Sequence, residues 1–130
     1  MFLIYNDTGT SSESVQALVD FLSPIATVQC VIGSDIQNDT LWSRASCFIM
    51  PGGRSLPFYK TCGALGNEAL VRFVKNGGRY VGLCAGAYYA AKETIFAEKL
   101  PLELVLPGEL NFFEGRAIGP AFLADRKSVV

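Results

Sequence analysis

Phe2-Leu3-Ile4-Tyr5 is a short, continuous apolar run that stops abruptly at the polar, turn-forming stretch Asn6 to Ser12. Four apolar residues bounded by turn formers predict a buried strand. Beyond them Val15, Leu18, Val19 and Leu22 recur at i, i+3, i+4 and i+7, the spacing of a single helical face. Thr10 and Glu13 stand at capping-box separation and Pro24 cannot continue a helix, so the helix is expected from near Ser11 to just before Pro24. Ala26 to Ile32 is β-rich, whereas Gly33 to Ser46 is polar and turn-forming, with one helical turn expected around Leu41-Trp42. Cys47-Phe48-Ile49-Met50 predicts another buried strand. It runs straight into Pro51-Gly52-Gly53-Arg54, where two glycines permit backbone angles and close approaches closed to other residues.

Asn67 to Asn76 reads as a second helix, with Leu70, Phe73 and Val74 facing inward and Asn76-Gly77-Gly78 as its stop. Arg79 to Gly82 is then a strand that turns tightly through Leu83-Cys84-Ala85-Gly86 into a helix of alanine and tyrosine reaching Ala91. Leu102 to Leu106, Leu110 to Phe113 and Arg116 to Ile118 are expected as short strands joined by turns at Pro107-Gly108 and Glu114-Gly115. Strands alternating with helices imply βαβ units, hence an α/β fold with a parallel, doubly wound sheet and helices on both faces. Ligands of such sheets sit beyond the carboxyl ends of the strands. Both glycine-bearing loops, after Met50 and around Cys84, leave from those ends and are expected to face each other across one crevice.

At 130 residues, half of them hydrophobic and 18% charged, the chain has the material for one core and is expected to form a single domain over 1–130. The formal charge of −1 and the scattered basic residues argue against nucleic acid as a partner. No run reaches the ~18 apolar residues of a membrane span, and the start lacks the basic region of a signal peptide, so neither a membrane nor a secretory route is expected. The four cysteines, Cys30, Cys47, Cys62 and Cys84, form no CxxC pair and read as free thiols in a reducing, cytoplasmic setting. The sequons Asn6-Asp7-Thr8 and Asn38-Asp39-Thr40 need a secretory context that nothing else supports. Zero histidines exclude a histidine-based zinc site and any Ser-His or Cys-His pair formed within these residues. No metal and no cofactor is expected.

Gly82-Leu83-Cys84-Ala85-Gly86 has the G-x-nucleophile-x-G form of a nucleophile elbow, with cysteine at the centre. A sharp strand-to-helix turn strains its central residue, and the positions two before and two after must be small for the backbone to fold back on itself. The helix that follows presents unpaired N–H groups to Cys84 and favours its thiolate, the nucleophilic form. Acyl transfer further needs donors aimed at an oxyanion, which the N–H groups of Ala85 and Gly53 are placed to supply. The missing element is a base to deprotonate the thiol and protonate a leaving group.

Each candidate has a plainer reading. Cys84 can equally be a small buried hydrophobe, since free cysteine is among the most buried residue types. Cys30 and Cys47 fall inside strands and are expected as core filler, while Cys62 is expected in a loop and accessible. Gly52, Arg54 and Tyr88 are candidate binding residues: Arg54 to pair with a carboxylate ligand or to lie free on the surface, Tyr88 to reach the crevice or to anchor its helix. Glu13, Glu109 and Glu114 serve as acids only if the fold brings them to Cys84. Phe112-Phe113 is most simply core.

Met50 to Pro57, Gly66-Asn67-Glu68, the run from Phe73 to Tyr88, then Pro107 to Leu110 and Gly119-Pro120 resemble the N-terminal domain of eukaryotic biotin-protein ligases. That domain is similar in turn to the class I glutamine amidotransferase-like superfamily. The resemblance implies a flavodoxin-like three-layer α/β/α sandwich, with Cys84 at the nucleophile position and Gly53 and Ala85 as oxyanion donors. Amidotransferases complete a triad with a histidine and a glutamate downstream, so the resemblance implies either a C-terminally truncated piece or a domain that has lost the triad. Ala85 also stands where some related proteins place a histidine directly after the cysteine. Biotin ligation requires a separate domain with ATP- and biotin-binding motifs absent here, so no ligase activity is expected.

Two functions of different class follow. The first is a cysteine hydrolase or amidase acting on a small carbonyl substrate in the crevice. The second is a non-catalytic module that binds a small ligand, a partner domain or a second copy of itself. A redox-sensing thiol that forms a reversible sulfenic acid at Cys84 is a third.

Overall fold

A computed structural model describes residues 1–120. Strands β1 (Phe2–Tyr5), β2 (Val28–Val31), β3 (Cys47–Met50) and β4 (Arg79–Gly82) form a parallel sheet in the order β2-β1-β3-β4. Phe2 pairs with Val28 on one side and Cys47 on the other, and Cys47 pairs with Arg79, so the four carboxyl ends share one edge. Period-two alternation sends Leu3, Tyr5, Phe48 and Met50 to one face and Ile4, Cys47 and Ile49 to the other. Both faces therefore need a cover, which is why these strands read as unbroken apolar runs. Helix α1 (Ser12–Leu22) covers the second face through Val15 and Leu22. The first face is covered by α3 (Ser55–Lys75) and α4 (Ala85–Ala90), following a short α2 (Asp39–Trp42). The result is the flavodoxin-like three-layer sandwich.

Two helix starts and the burial of two cysteines differ from the sequence expectation. The N-cap of α1 is Ser11, whose hydroxyl accepts the Ser14 N–H at 3.3 Å, while the Thr10 hydroxyl donates instead to the Asp7 carbonyl. Helix α3 begins at Ser55 rather than Asn67. Pro57 lies in its first turn, where a missing N–H costs no helical bond, and Gly63 absorbs a kink at φ 64°, ψ 179°. Cys62 is consequently inside a helix and fully buried, not accessible in a loop. Cys30, expected as core filler, is exposed, because β2 is an edge strand.

Helix α4 ends at Ala90 instead of running on through Ala91. The chain extends there as β5 (Ala91–Phe96), which pairs antiparallel with β6 (Leu104–Pro107) and parallel with β7 (Phe113–Gly119). This second sheet, in the order β6-β5-β7, was not expected. Leu110 to Phe113 is not a strand. Leu110 is buried in the main core, the Phe112 N–H donates to the Ala90 carbonyl at 2.9 Å, and Phe113 opens β7. The Phe112-Phe113 pair is thereby split: Phe112 packs against Tyr80 at 5.1 Å between ring centroids, and Phe113 is 60% exposed. Residues 121–130 of the expected 1–130 domain lie outside the described residues. Among the described residues no helix is long and apolar enough to cross a membrane.

Candidate functional site

Met50 pairs with Gly82 in the register of β3 and β4, so the loop after one and the turn after the other emerge side by side. The Leu83 N–H donates to the Met50 carbonyl at 3.0 Å, and the chain then reverses at once: Cys84 sits at φ 50°, ψ −109°, a strained conformation for a residue with a side chain. The two flanking glycines make this possible. A Cβ on Gly82 would lie 2.5 Å from the Gly86 carbonyl oxygen, and one on Gly86 would lie 2.1 Å from that of Met50. The Cys84 carbonyl accepts the Ala87 and Tyr88 N–H groups, and the Tyr80 hydroxyl donates to the Gly86 carbonyl at 2.6 Å. The Cys84 side chain is left exposed at the rim. Helix α4 has only six residues, so the N-terminal field expected of a full helix is that of a turn and a half.

The Gly52-Gly53 loop is held from the β1–α1 side. The Gly52 carbonyl accepts the Ser11 N–H at 2.8 Å, the Gly52 N–H donates to Ser14 Oγ at 3.1 Å, and the Arg54 N–H donates to the Gly9 carbonyl at 2.8 Å. Gly53 lies at φ 142°, and a Cβ there would fall 2.1 Å from the Gly9 carbonyl oxygen, so only glycine fits. At Gly52 a Cβ would stand 3.6 Å from the Cβ of Cys84, which measures how closely the loop lies on the elbow. The Gly53 and Ala85 N–H groups have no hydrogen-bond partner among the described residues.

The other candidates are dispersed around this centre. Arg54 is exposed at the N-cap of α3. Tyr88 is half-buried, meets Phe96 edge-on at 5.6 Å, and has its hydroxyl raised first by burial and then by the neighbouring Cys84. Glu13 and Glu114 are exposed, and Glu109 accepts a hydrogen bond from Asn67 Nδ2. Among the described residues no hydrogen bond or ion pair joins any of the three to Cys84. Burial pushes the Cys47 and Cys62 thiols up, so neither is an activated nucleophile. Two surface hollows of about 610 and 450 Å³ are lined by Trp42, Arg72 and Arg79 and by Asn67, Glu68 and Glu109 respectively; neither takes in Cys84, Gly53 or Ala85.

Ser14 was not among the residues singled out from the sequence. It lies 38 positions from Gly52 and looks like an ordinary polar residue in a first helical turn. No local signal in the sequence marks it.

The model of the family described as "Biotin-protein ligase, N terminal" matches residues 1–125. An uncharacterized protein of Chlamydia muridarum is 32% identical over 126 residues, which are 92% of this chain and 49% of that protein. A biotin–protein ligase of Schizosaccharomyces pombe is 32% identical over 127 residues, again 92% of this chain but 20% of the ligase. The phosphoribosylformylglycinamidine synthase subunit PurQ of Prochlorococcus marinus is 36% identical over 89 residues, 60% of this chain and 38% of the subunit. The chain thus spans about half the length of the first relative and about a fifth of the second. With a family match from Met1 to residue 125 over a flavodoxin-like fold, the chain belongs to the biotin-protein ligase N-terminal family.

Proposed function

We propose that this domain is an amidotransferase-like thiol domain in which Cys84 attacks a small carbonyl substrate. The observation that supports it is the pair of unpartnered N–H groups, Gly53 and Ala85, on the two bends that flank an exposed cysteine. Attack of the sulfur on a carbonyl carbon forms the C–S bond and moves the carbonyl π electrons onto oxygen, where two N–H donors stabilise them. Expulsion of an amine leaves a thioester for water to cleave. The chain has no histidine, so protonation of that amine falls to water or to a group supplied from outside this sequence. The same absence favours the second reading, a module that binds a carbonyl-bearing ligand at the elbow without turnover. Biotin ligation is not proposed, since the similarity covers only a fifth of the yeast ligase. Four free thiols support a reducing, cytoplasmic location.

Iodoacetamide labelling at neutral pH tests the reading. Cys62 is a poor comparator because burial alone protects it, whereas Cys30 is exposed like Cys84. Cys84 is expected to label about tenfold faster than Cys30, as an activated nucleophile does. Equal rates would remove the activated nucleophile and leave the binding module.

A further inference from the structure

We infer that Ser14 is a positioning residue for the oxyanion loop; the inference rests on the thiol reading of the elbow. Three of the loop's polar groups are committed. The Gly52 carbonyl goes to the Ser11 N–H, the Arg54 N–H to the Gly9 carbonyl, and the Gly52 N–H to the hydroxyl oxygen of Ser14. Two of these bonds are backbone to backbone and survive any side-chain change. The Ser14 bond is the side-chain contribution, and it holds the Pro51–Gly52 peptide, the one before the peptide that carries the Gly53 N–H. Without it the Pro51-Gly52-Gly53 segment loses a restraint on the side nearest Cys84, where a Cβ at Gly52 would meet Ser14 Oγ at 3.5 Å and Cys84 Cβ at 3.6 Å. The Ser14 hydroxyl and the Cys84 Cβ therefore both lie beside this glycine. Ser14 is itself fixed, because its N–H donates to the Ser11 hydroxyl at the start of α1. The chain of contacts runs from helix cap to Ser14 to Gly52, and it presents the Gly53 N–H as the loop's unpaired donor. Donors preorganised in this way stabilise charge without reorganising when it forms.

A small aldehyde separates donor placement from thiol reactivity. The Cys84 sulfur adds to the aldehyde carbon, a C–S bond forms, the C=O π bond becomes a C–O single bond, and the thiol proton ends on that oxygen. The hemithioacetal oxygen then occupies the place of the oxyanion. With ¹³C-carbonyl acetaldehyde followed by NMR, wild type is expected to show an adduct that C84S lacks. S14A is expected to weaken that adduct about tenfold, less than the 10²–10³ of a deleted donor because the Gly53 N–H is shifted rather than removed. S14T, which retains a hydroxyl, is expected to restore it. A purely structural role for Ser14 would lower thermal stability while leaving the adduct constant of the folded protein at the wild-type value, and that result overturns the inference. Should S14A fail to fold, S14T and S14V give the same comparison at nearly equal volume, and equal adduct constants in that pair overturn it too. Absence of any Cys84 adduct in wild type sinks the thiol reading itself, an outcome distinct from equality between wild type and S14A.

Discussion

Cys84 owes its exposure to its neighbours more than to its own side chain. The turn that lifts it closes only because Gly82 and Gly86 let the backbone approach to distances no Cβ tolerates. G82A and G86A are each expected to cost about 3 kcal/mol, read from urea unfolding, because the obstructing atoms are main-chain carbonyls that cannot rotate away. The Gly52-Gly53 loop offers a sharper contrast. Gly53 combines a positive φ with a 2.1 Å obstruction, whereas a Cβ on Gly52 meets only ordinary contacts at 3.5 and 3.6 Å. G52A should therefore stay within about 1 kcal/mol of wild type, while G53A loses about 2–3 kcal/mol. The glycine pattern was legible in the sequence as a motif, although only Gly82 meets a nearby stretch of chain, while Gly86 meets the Met50 carbonyl and Gly53 that of Gly9. The exposure of Cys30 and the burial of Cys62 were not legible, because each depends on which strand is at the edge and which helix covers the sheet.

Helix boundaries show how tertiary contacts overrule local signals. Ser11 caps α1 one residue later than the Thr10-Glu13 spacing suggested, and S11A is expected to cost about 1 kcal/mol in urea unfolding. In α3, Pro57 occupies a turn without intrahelical N–H demands and Gly63 makes a kink, so the helix runs from Ser55 rather than from Asn67. Nothing lies within 4 Å of a Cβ built on Gly63, so G63A isolates the backbone cost of its φ 64°, ψ 179° conformation, about 1–3 kcal/mol. Phe58 and Cys62 explain why this half-helix persists: both are fully buried against the sheet. At the other end, Ala90-Ala91 continues an alanine-rich helical pattern, but Thr94 Oγ1 donates to the Tyr88 carbonyl and β6 and β7 pair with the following residues. The strand wins because its partners arrive from later in the chain.

Across the whole molecule, the core is rich in buried tyrosines. The Tyr5, Tyr80 and Tyr89 hydroxyls are held above the ordinary tyrosine range chiefly by burial, as is Tyr59. Unfolding would release these protons near pH 10, whereas the native protein retains them. The folded state therefore binds more protons in alkali, so the tyrosines' contribution to stability is full below about pH 10 and is lost as pH rises past it, while the buried Cys47 and Cys62 thiols begin the decline from about pH 8.5. The urea midpoint should be level between pH 7 and 8 and drop steeply above about 10, with tyrosinate absorbance appearing together with loss of structure. Absorbance rising first, in a still folded protein, would mean these hydroxyls are accessible. Asn67 extends this network by accepting from Tyr89 at 2.6 Å and donating to Glu109, which bridges α3 to the turn after β6. Neither contact follows from local pattern, since Asn67 reads as a plain helix-start residue.

The linear chain already contained the sandwich, the four parallel strands and the tight glycine-flanked turn at Cys84 beside the Gly52-Gly53 loop. Each rests on short-range rules: period-two burial on both faces, helical spacing, and the steric need for glycine two residues either side of a tight turn. The second sheet, the accessibility of each thiol, the Asn67–Glu109 tie and the Ser14 clamp on Gly52 came only with the folded coordinates. These are pairings between residues far apart in the chain, and a hydroxyl or carboxylate carries no local mark of the distant partner that will satisfy it.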